Sequence, residues 1–375
     1  MRRAAAALAL LSLPVAAEAA KVATAHYGTT SGGQRVDQVT LQNDGGMIVK
    51  IIGYGAIITD IVVPDRHGRR ANVALGFAKL SDYETRNSDG FGAVIGRYAG
   101  RIANARFMLG AREVRLQAND GPNALHGGPD GLDRKVWKVS PFKRGKDVGA
   151  VLRYSSPDGE QGFPGKLDLS ITYTLTAANA LRIDYGARTD RPTVLNLTNH
   201  SYFNLGGAGS GSVRGHVLRI NSRFILETDE RGIPTGKIVS VEGTPFDFQR
   251  AVPIGSRIDL DHAQLAGRRG FNHSWLLDNE GKLASAAVVT DPASGRELEV
   301  LTTEPSLHAY TANWFSGEIR GAQGKLYRPH DGLALETQHY PDAPNRPDFP
   351  STELRPGETF RSTTVYRFSA SSEAK

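Results

Sequence analysis

From about residue 36 onward the chain is a close succession of short apolar-alternating runs broken by Gly, Pro and Asn-Asp clusters, and this constrains its fold most. VTLQN and MIVKII flank Asn43-Asp44-Gly45-Gly46, a hairpin cue. AIITDIVV runs into Pro64-Asp65-Arg66-His67-Gly68 and is followed by ANVALGF. KLDLSITYTL, ALRIDYGA, GHVLRINSRFIL, SAAVVTD, LEVLTT, GLALETQ and TTVYRFS continue the series. Helical periodicity is scarce, and FAKLSDYETR alone predicts a short helix. With 42 Gly and 19 Pro supplying turns, the pattern predicts an all-β sandwich or barrel. A length of 375 residues allows two domains, but there is no fixed-period repeat and no linker of biased composition. One large β domain over 21–375 is the simplest organisation.

The first twenty residues read differently. Arg2 and Arg3 precede an apolar run from Ala4 to Val15, and Ala17-Glu18-Ala19 forms an A-x-A cleavage pattern. Residues 1–20 are therefore expected to be a signal peptide, with the mature chain exported, periplasmic or secreted. No later apolar run reaches membrane-spanning length, so no membrane partner is expected after its removal. The formal charge of +6 is dispersed without a Lys/Arg block, which gives nucleic-acid binding little support. The absence of Cys excludes disulfides, thiolate catalysis and Cys-ligated metals.

Motifs for other chemistries are missing too. Among ten His there is no H-E-x-x-H, no close pair and no facial-triad pattern, so no metal is expected. No G-x-S-x-G appears, and GRYAGR lacks the spacing of either nucleotide-binding glycine motif. His and Glu remain, an acid and a base.

Four places can carry them. Read as a strand, NLTNHSYFNL puts Asn196, Thr198, His200, Tyr202 and Asn204 on one face, hydrogen-bonding throughout yet without a charge. That is either a polar network inside a large sheet or a floor for something rich in hydroxyls. Glu336 ends the apolar run Gly332–Leu335; buried, its pKa would rise toward the range of a general base, while at an edge it would be an ordinary exposed Glu. His126 lies in a loop studded with Gly and Pro, as a turn residue or a tightly held ligand group. Arg101, with Arg97 and Arg106, forms a solvated face or a ligand clamp.

In order along the chain, IGRYAGRIANARF, NALHGG, SPDGEQGFPG, NLTNHSYFNL, IPTG, GFNHSW and LETQHYPDAPN resemble blocks of the galactose mutarotase (aldose 1-epimerase) family. The resemblance runs from about Val39 to Phe368. It implies the galactose mutarotase-like supersandwich, a large antiparallel β-sandwich with few short helices. It also implies an isomerase that interconverts aldose anomers without a cofactor. The family's proton acceptor falls on Glu336, its donor on His200, its assisting His on His126 and its sugar-clamping Arg on Arg101; Tyr202 shares the polar face with His200. Three positions depart from the family: Asn272 stands where it usually has Asp, His308 where it often has Gln, and Gly100 where Asn precedes the Arg. Asn272 and His308 are thus expected to bind substrate and shift the preferred sugar, with His308 a charged donor in acid. The rival expectations are an epimerase of another sugar or of a hexose phosphate, with Arg97 and Arg106 as phosphate ligands, and a non-catalytic sugar-binding sandwich.

Overall fold

The computed structural model describes residues 19–371, so the expected signal peptide lies, but for its last two residues, outside the described residues. Three antiparallel sheets dominate. The first runs in chain order: Lys21–Thr29, Arg35–Gln42, Ile48–Ile52, Ile58–Pro64 and Arg70–Asn72. Tight turns such as Asn43–Gly46 allow no more than this meander: the Asn43 side chain accepts the Met47 N–H, and Gly46 supplies a φ of 79°.

The second sheet has nine strands. Lys138–Arg144, Asp147–Ser156, Leu167–Leu175 and Ala180–Thr189 follow one another, and the C-terminal strand Phe360–Ala370 pairs next. Arg296–Thr302, Ala284–Thr290, Val217–Ile220 and Val252–Pro253 complete it. Strict alternation along Leu167–Leu175 sends Leu167, Leu169, Ile171, Tyr173 and Leu175 inward. They join an apolar cluster that draws on residues from Ala20 to Phe368, including Val49, Ile61, Leu335 and Tyr366. Burying each such side chain contributes roughly 1.5–3 kcal/mol.

The third sheet has six strands, in the order Tyr202–Phe203, Leu333–Gln338, Ser306–Tyr310, Asn272–Leu276, Phe224–Thr228 and Pro234–Ser240. The expected short helix is Leu80–Arg86, which buries Leu80 and Tyr83. The all-β expectation therefore holds.

Three predicted strands are broken, each for a polar reason. GHVLRINSRFIL divides into Val217–Ile220 and Phe224–Thr228, which enter different sheets. At the break the Ser222 hydroxyl bonds the carbonyls of Phe224 and Leu276, and Asn221 Nδ2 donates to Ser285 O. ANVALGF keeps only its first residues in a strand, because Asn72 Oδ1 accepts from the Ile61 and Ala74 N–H groups and ends the ladder. NLTNHSYFNL is not one strand but two short ones, Thr198–Asn199 against Val94–Ile95 and Tyr202–Phe203 against Leu333–Ala334. Asn199 Oδ1 accepts from both the N–H and the hydroxyl of Ser201, which turns the chain between them.

Candidate active site

One face of the six-stranded sheet forms a floor. Residues directly opposite in adjacent strands share a face. Ser274 pairs with His308 and His308 with Glu336, a row across three strands. Two residues along, Asn272, Tyr310, Ala334 and Tyr202 make a second row. The intervening residues Trp275, Leu307 and Leu335 point into the core. Glu336 is thus on a strand buried on both faces, 2% exposed, and not on an edge.

Loops supply the wall. His200 lies at the break in its segment; its N–H donates to Ala93 O and its carbonyl accepts from Gly92 N. Gly92 has φ 69°, and a Cβ there would lie 2.1 Å from Ile58 O, so only glycine lets this turn approach. His126 sits in left-handed backbone at φ 55°, donates its N–H to Gly100 O, and accepts the Gly100 N–H on Nδ1 at 3.2 Å. With Nδ1 occupied as an acceptor, the proton of the neutral ring is on Nε2. Arg101 is held by Asp120, Nε to Oδ2 at 2.7 Å.

These residues enclose a cavity of about 210 Å³ that Glu336, His200, His126, Arg101, Tyr202, Asn272 and His308 all line. That is smaller than the roughly 300–1,000 Å³ of common ligand pockets and suits one small molecule. His200 Nε2 is 3.3 Å from Glu336 Oε1. The His126 and His200 rings meet edge to face at 5.3 Å. His200 Nδ1, Glu336 Oε2 and Gln338 Oε1 are buried without a partner among the described residues. Such orphaned groups cost stability unless a ligand or water satisfies them.

Burial governs the electrostatics. It pushes the Glu336 carboxyl up to about 8, against the pull of Arg101. It pushes His200 down to about 4. His126 falls well below its usual value through burial and the nearby His200, Arg101 and His308. The pair therefore holds one proton near neutrality, and burial places it on Glu336. Burial thus favours the neutral arrangement of that proton over an ionised Glu336 facing a charged His200, and the rise at Glu336 is the one expected for a carboxyl on a buried strand.

His308 departs from expectation as well. Burial, Arg101, His200 and Arg268 hold it down to about 3, so it is not a charged donor in mild acid. Its Nε2 is 2.7 Å from Asn272 Oδ1, and its Nδ1 is 2.9 Å from Ser274 Oγ. Nε2–H donates to the amide oxygen, Ser274 donates to Nδ1, and the Asn272 NH₂ is left with no protein acceptor among the described residues.

The rest of the polar face of 196–204 is structural. Asn196 Nδ2 donates to Ala99 O and His339 O, and Asn204 Nδ2 to Gly211 O and Asp331 O. Both readings of that segment thus apply, to different residues. Arg97 is far from a phosphate ligand: it is buried, and its guanidinium bonds the Ser156 hydroxyl and the carbonyls of Ser156, Pro157, Pro164 and Gly165. Arg106 is exposed beside Glu113. Neither lines the cavity.

Sequence reasoning missed Asp89, Gln338, Tyr310 and Trp314, which also line it. Gln338 and Tyr310 were readable as same-face neighbours of Glu336 and His308; Asp89 gave no signal. It also missed a donor set: ligand atoms of His126, His200 and Glu336 lie within 4.8 Å of one another, an arrangement able to hold a cation. No spacing rule shows this, because the three come from separate segments.

The sequence model of the family described as aldose 1-epimerase matches residues 37–367. The galactose mutarotase of Mus musculus is 43% identical over 339 residues, covering 90% of this chain and 96% of its own. The aldose 1-epimerase of Escherichia coli K12 is 39% identical over 342 residues, with the same coverage of both. The crystal structure of galactose 1-epimerase from Lactobacillus acidophilus superimposes with a TM-score of 0.83 at 30% identity, covering 94% of this chain and 99% of that one. A cavity with a buried His–Glu pair, on this arrangement of sheets and with these relatives, leads to one assignment: the chain belongs to the aldose 1-epimerase family.

Proposed function

We propose that this chain interconverts the α and β anomers of free aldoses by acid–base opening and closing of the ring, with Glu336 and His200 as the proton-transferring pair. The observation that carries the proposal is their 3.3 Å contact in a buried cavity, with a further polar atom of each unpartnered among the described residues. Opening a cyclic hemiacetal removes the proton from O1 and adds one to the ring oxygen. When sugar binds, its C1 hydroxyl and ring oxygen favour the form with Glu336 ionised and His200 charged. Glu336 takes the O1 proton as the C1–O5 bond breaks, and His200 delivers its proton to O5. The open-chain aldehyde now faces protonated Glu336 and neutral His200, the form that burial favours. Rotation about C1–C2 presents the other carbonyl face. His200 then takes the O5 proton, O5 attacks C1, and Glu336 returns its proton to O1. Each positioned group supplies typically ~10²–10⁴-fold. His126, with Nε2–H free and Nδ1 tied to Gly100, serves as a neutral donor to substrate oxygen, and Arg101 as a charged one.

Polarimetry on pure α-D-glucose and α-D-galactose tests this. The rate of approach to equilibrium should rise in proportion to enzyme above the spontaneous rate. A folded protein that accelerates neither these nor other aldoses would overturn it. The hexose-phosphate reading has lost Arg97 and Arg106 as ligands. The purely binding reading has no use for a buried acid–base pair in contact.

Export belongs with this proposal. It is supported by Arg2 and Arg3, the apolar run and the Ala17-Glu18-Ala19 pattern. Fractionation with N-terminal sequencing tests it: an unprocessed cytoplasmic chain would end the idea.

A further inference from the structure

The side chains lining the cavity include one guanidinium and two carboxyl groups: Arg101, Glu336 and Asp89. Glu336 is committed to the anomeric proton, and Arg101 can only donate. A pyranose presents several hydroxyl donors, so the cavity needs a strong acceptor that takes no part in the chemistry.

Asp89 has that position. It sits in the turn 87–93, whose geometry is fixed by Asn87 Oδ1 accepting the Phe91 N–H at 2.7 Å and by the bonds between Gly92, Ala93 and His200. The next residue, Gly90, packs against the His200 ring: a Cβ there would lie 3.7 Å from its Cγ. The charge of Asp89 is felt by Tyr202 and Tyr310, both on the floor. The carboxylate is half-buried and, among the described residues, has no cation partner; the Ser88 hydroxyl is its one hydrogen-bonding neighbour. Burial raises it to about 6, so it is ionised at neutral pH. A half-buried carboxylate in a cleft, without a counter-ion, marks a place where a ligand supplies the donors.

We infer that Asp89 is a substrate-binding residue whose two oxygens accept hydrogen bonds from adjacent hydroxyls of the pyranose, and that it sets which aldoses the enzyme prefers. This rests on the anomer-interconverting reading. Carboxylate acceptors bond hydroxyls about twice as strongly as neutral ones. Asp89 also complements the donors that line the same cavity, Arg101 and the Asn272 amide.

The test compares wild type with Asp89→Asn and Asp89→Ser, each first checked for an unchanged thermal midpoint. KM for glucose and galactose should rise about 10-fold or more, with kcat within about 2-fold. Binding of 1,5-anhydro-D-glucitol, which has no anomeric hydroxyl and cannot turn over, should weaken by the same factor in calorimetry. In a series of monodeoxy-glucoses, the one lacking a hydroxyl held by Asp89 should lose less on mutation than glucose does. Unchanged KM and anhydroglucitol affinity in an otherwise active enzyme would overturn the inference. So would a fall in kcat alone, which would make Asp89 a proton-transfer group. Failure of the underlying reading would be seen separately, as wild type without mutarotase activity.

Discussion

His308 stands directly opposite Glu336 in the antiparallel ladder, yet both of its ring nitrogens are occupied by Asn272 and Ser274. Glu336 therefore gains no hydrogen bond from its own strand neighbour. Its carboxyl is left to His200 on one oxygen and to the cavity on the other. A base held this bare is raised by burial and not lowered by donors.

Glu336→Gln keeps shape and removes the base. It should lower kcat for glucose or galactose by at least ~10²-fold, with a cooperative unfolding transition retained. Near-normal mutarotation by polarimetry would remove Glu336 from the mechanism.

The pH–rate profile should be a bell. Below about 4 His200 and Glu336 both carry protons and no base remains; above about 8 both have lost them and no acid remains. The limbs belong to the pair, so His200→Asn should both depress kcat severely and abolish the two-limbed shape. A flat wild-type profile from pH 4 to 9 would contradict a one-proton pair.

Asn272→Asp should change recognition without changing chemistry. Asp can still accept from His308 Nε2–H, but its second oxygen now faces the cavity where an NH₂ donor was. KM should shift several-fold, in opposite directions for sugars that offer a hydroxyl or an ether oxygen there, and kcat should hold. Identical KM values across an aldose panel would show that position 272 does not discriminate.

Away from the site, His216 should make the fold acid-sensitive. Burial holds it down to about 4, and its Nε2 accepts the Leu205 N–H. Between pH 6.5 and 4 the unfolded chain takes a proton that the folded chain refuses. Stability from this residue is therefore full above 6.5 and falls as pH drops, at up to about 1.4 kcal/mol per unit. His216→Gln, whose Oε1 can replace the acceptor, should flatten the dependence of the urea midpoint by about one proton. Parallel curves would refute the linkage.

The sequence showed the fold through alternation, which reports directly on burial: Leu167–Leu175 is an example. It misjudged places where Ser and Asn side chains take over backbone bonds, as at Ser222 and Asn199, because such bonds depend on which strand lies alongside. Of the site, Glu336, His200, His126 and Arg101 were located through motifs, and the cavity gathers them. The rise at Glu336 was legible from its apolar strand, whereas the lowering of His200 and His126 was not, since it follows from desolvation by residues distant in the chain. Asp89 was hidden for a similar reason: nothing in Asn87-Ser88-Asp89-Gly90 announces a neighbour 110 residues away.

The strand Leu333–Gln338 shows one row of side chains to the cavity and the next to the core. Loss of Leu333 or Ala334 would slip the register by one, turning Glu336 into the apolar interior and Leu335 toward the cavity, and end catalysis and folding in one step. No gradual route leads through such a sequence. The 87–91 turn and the exposed Trp314, which line the cavity from outside this ladder, are under no such constraint and can change in length or character while the strand beneath keeps count.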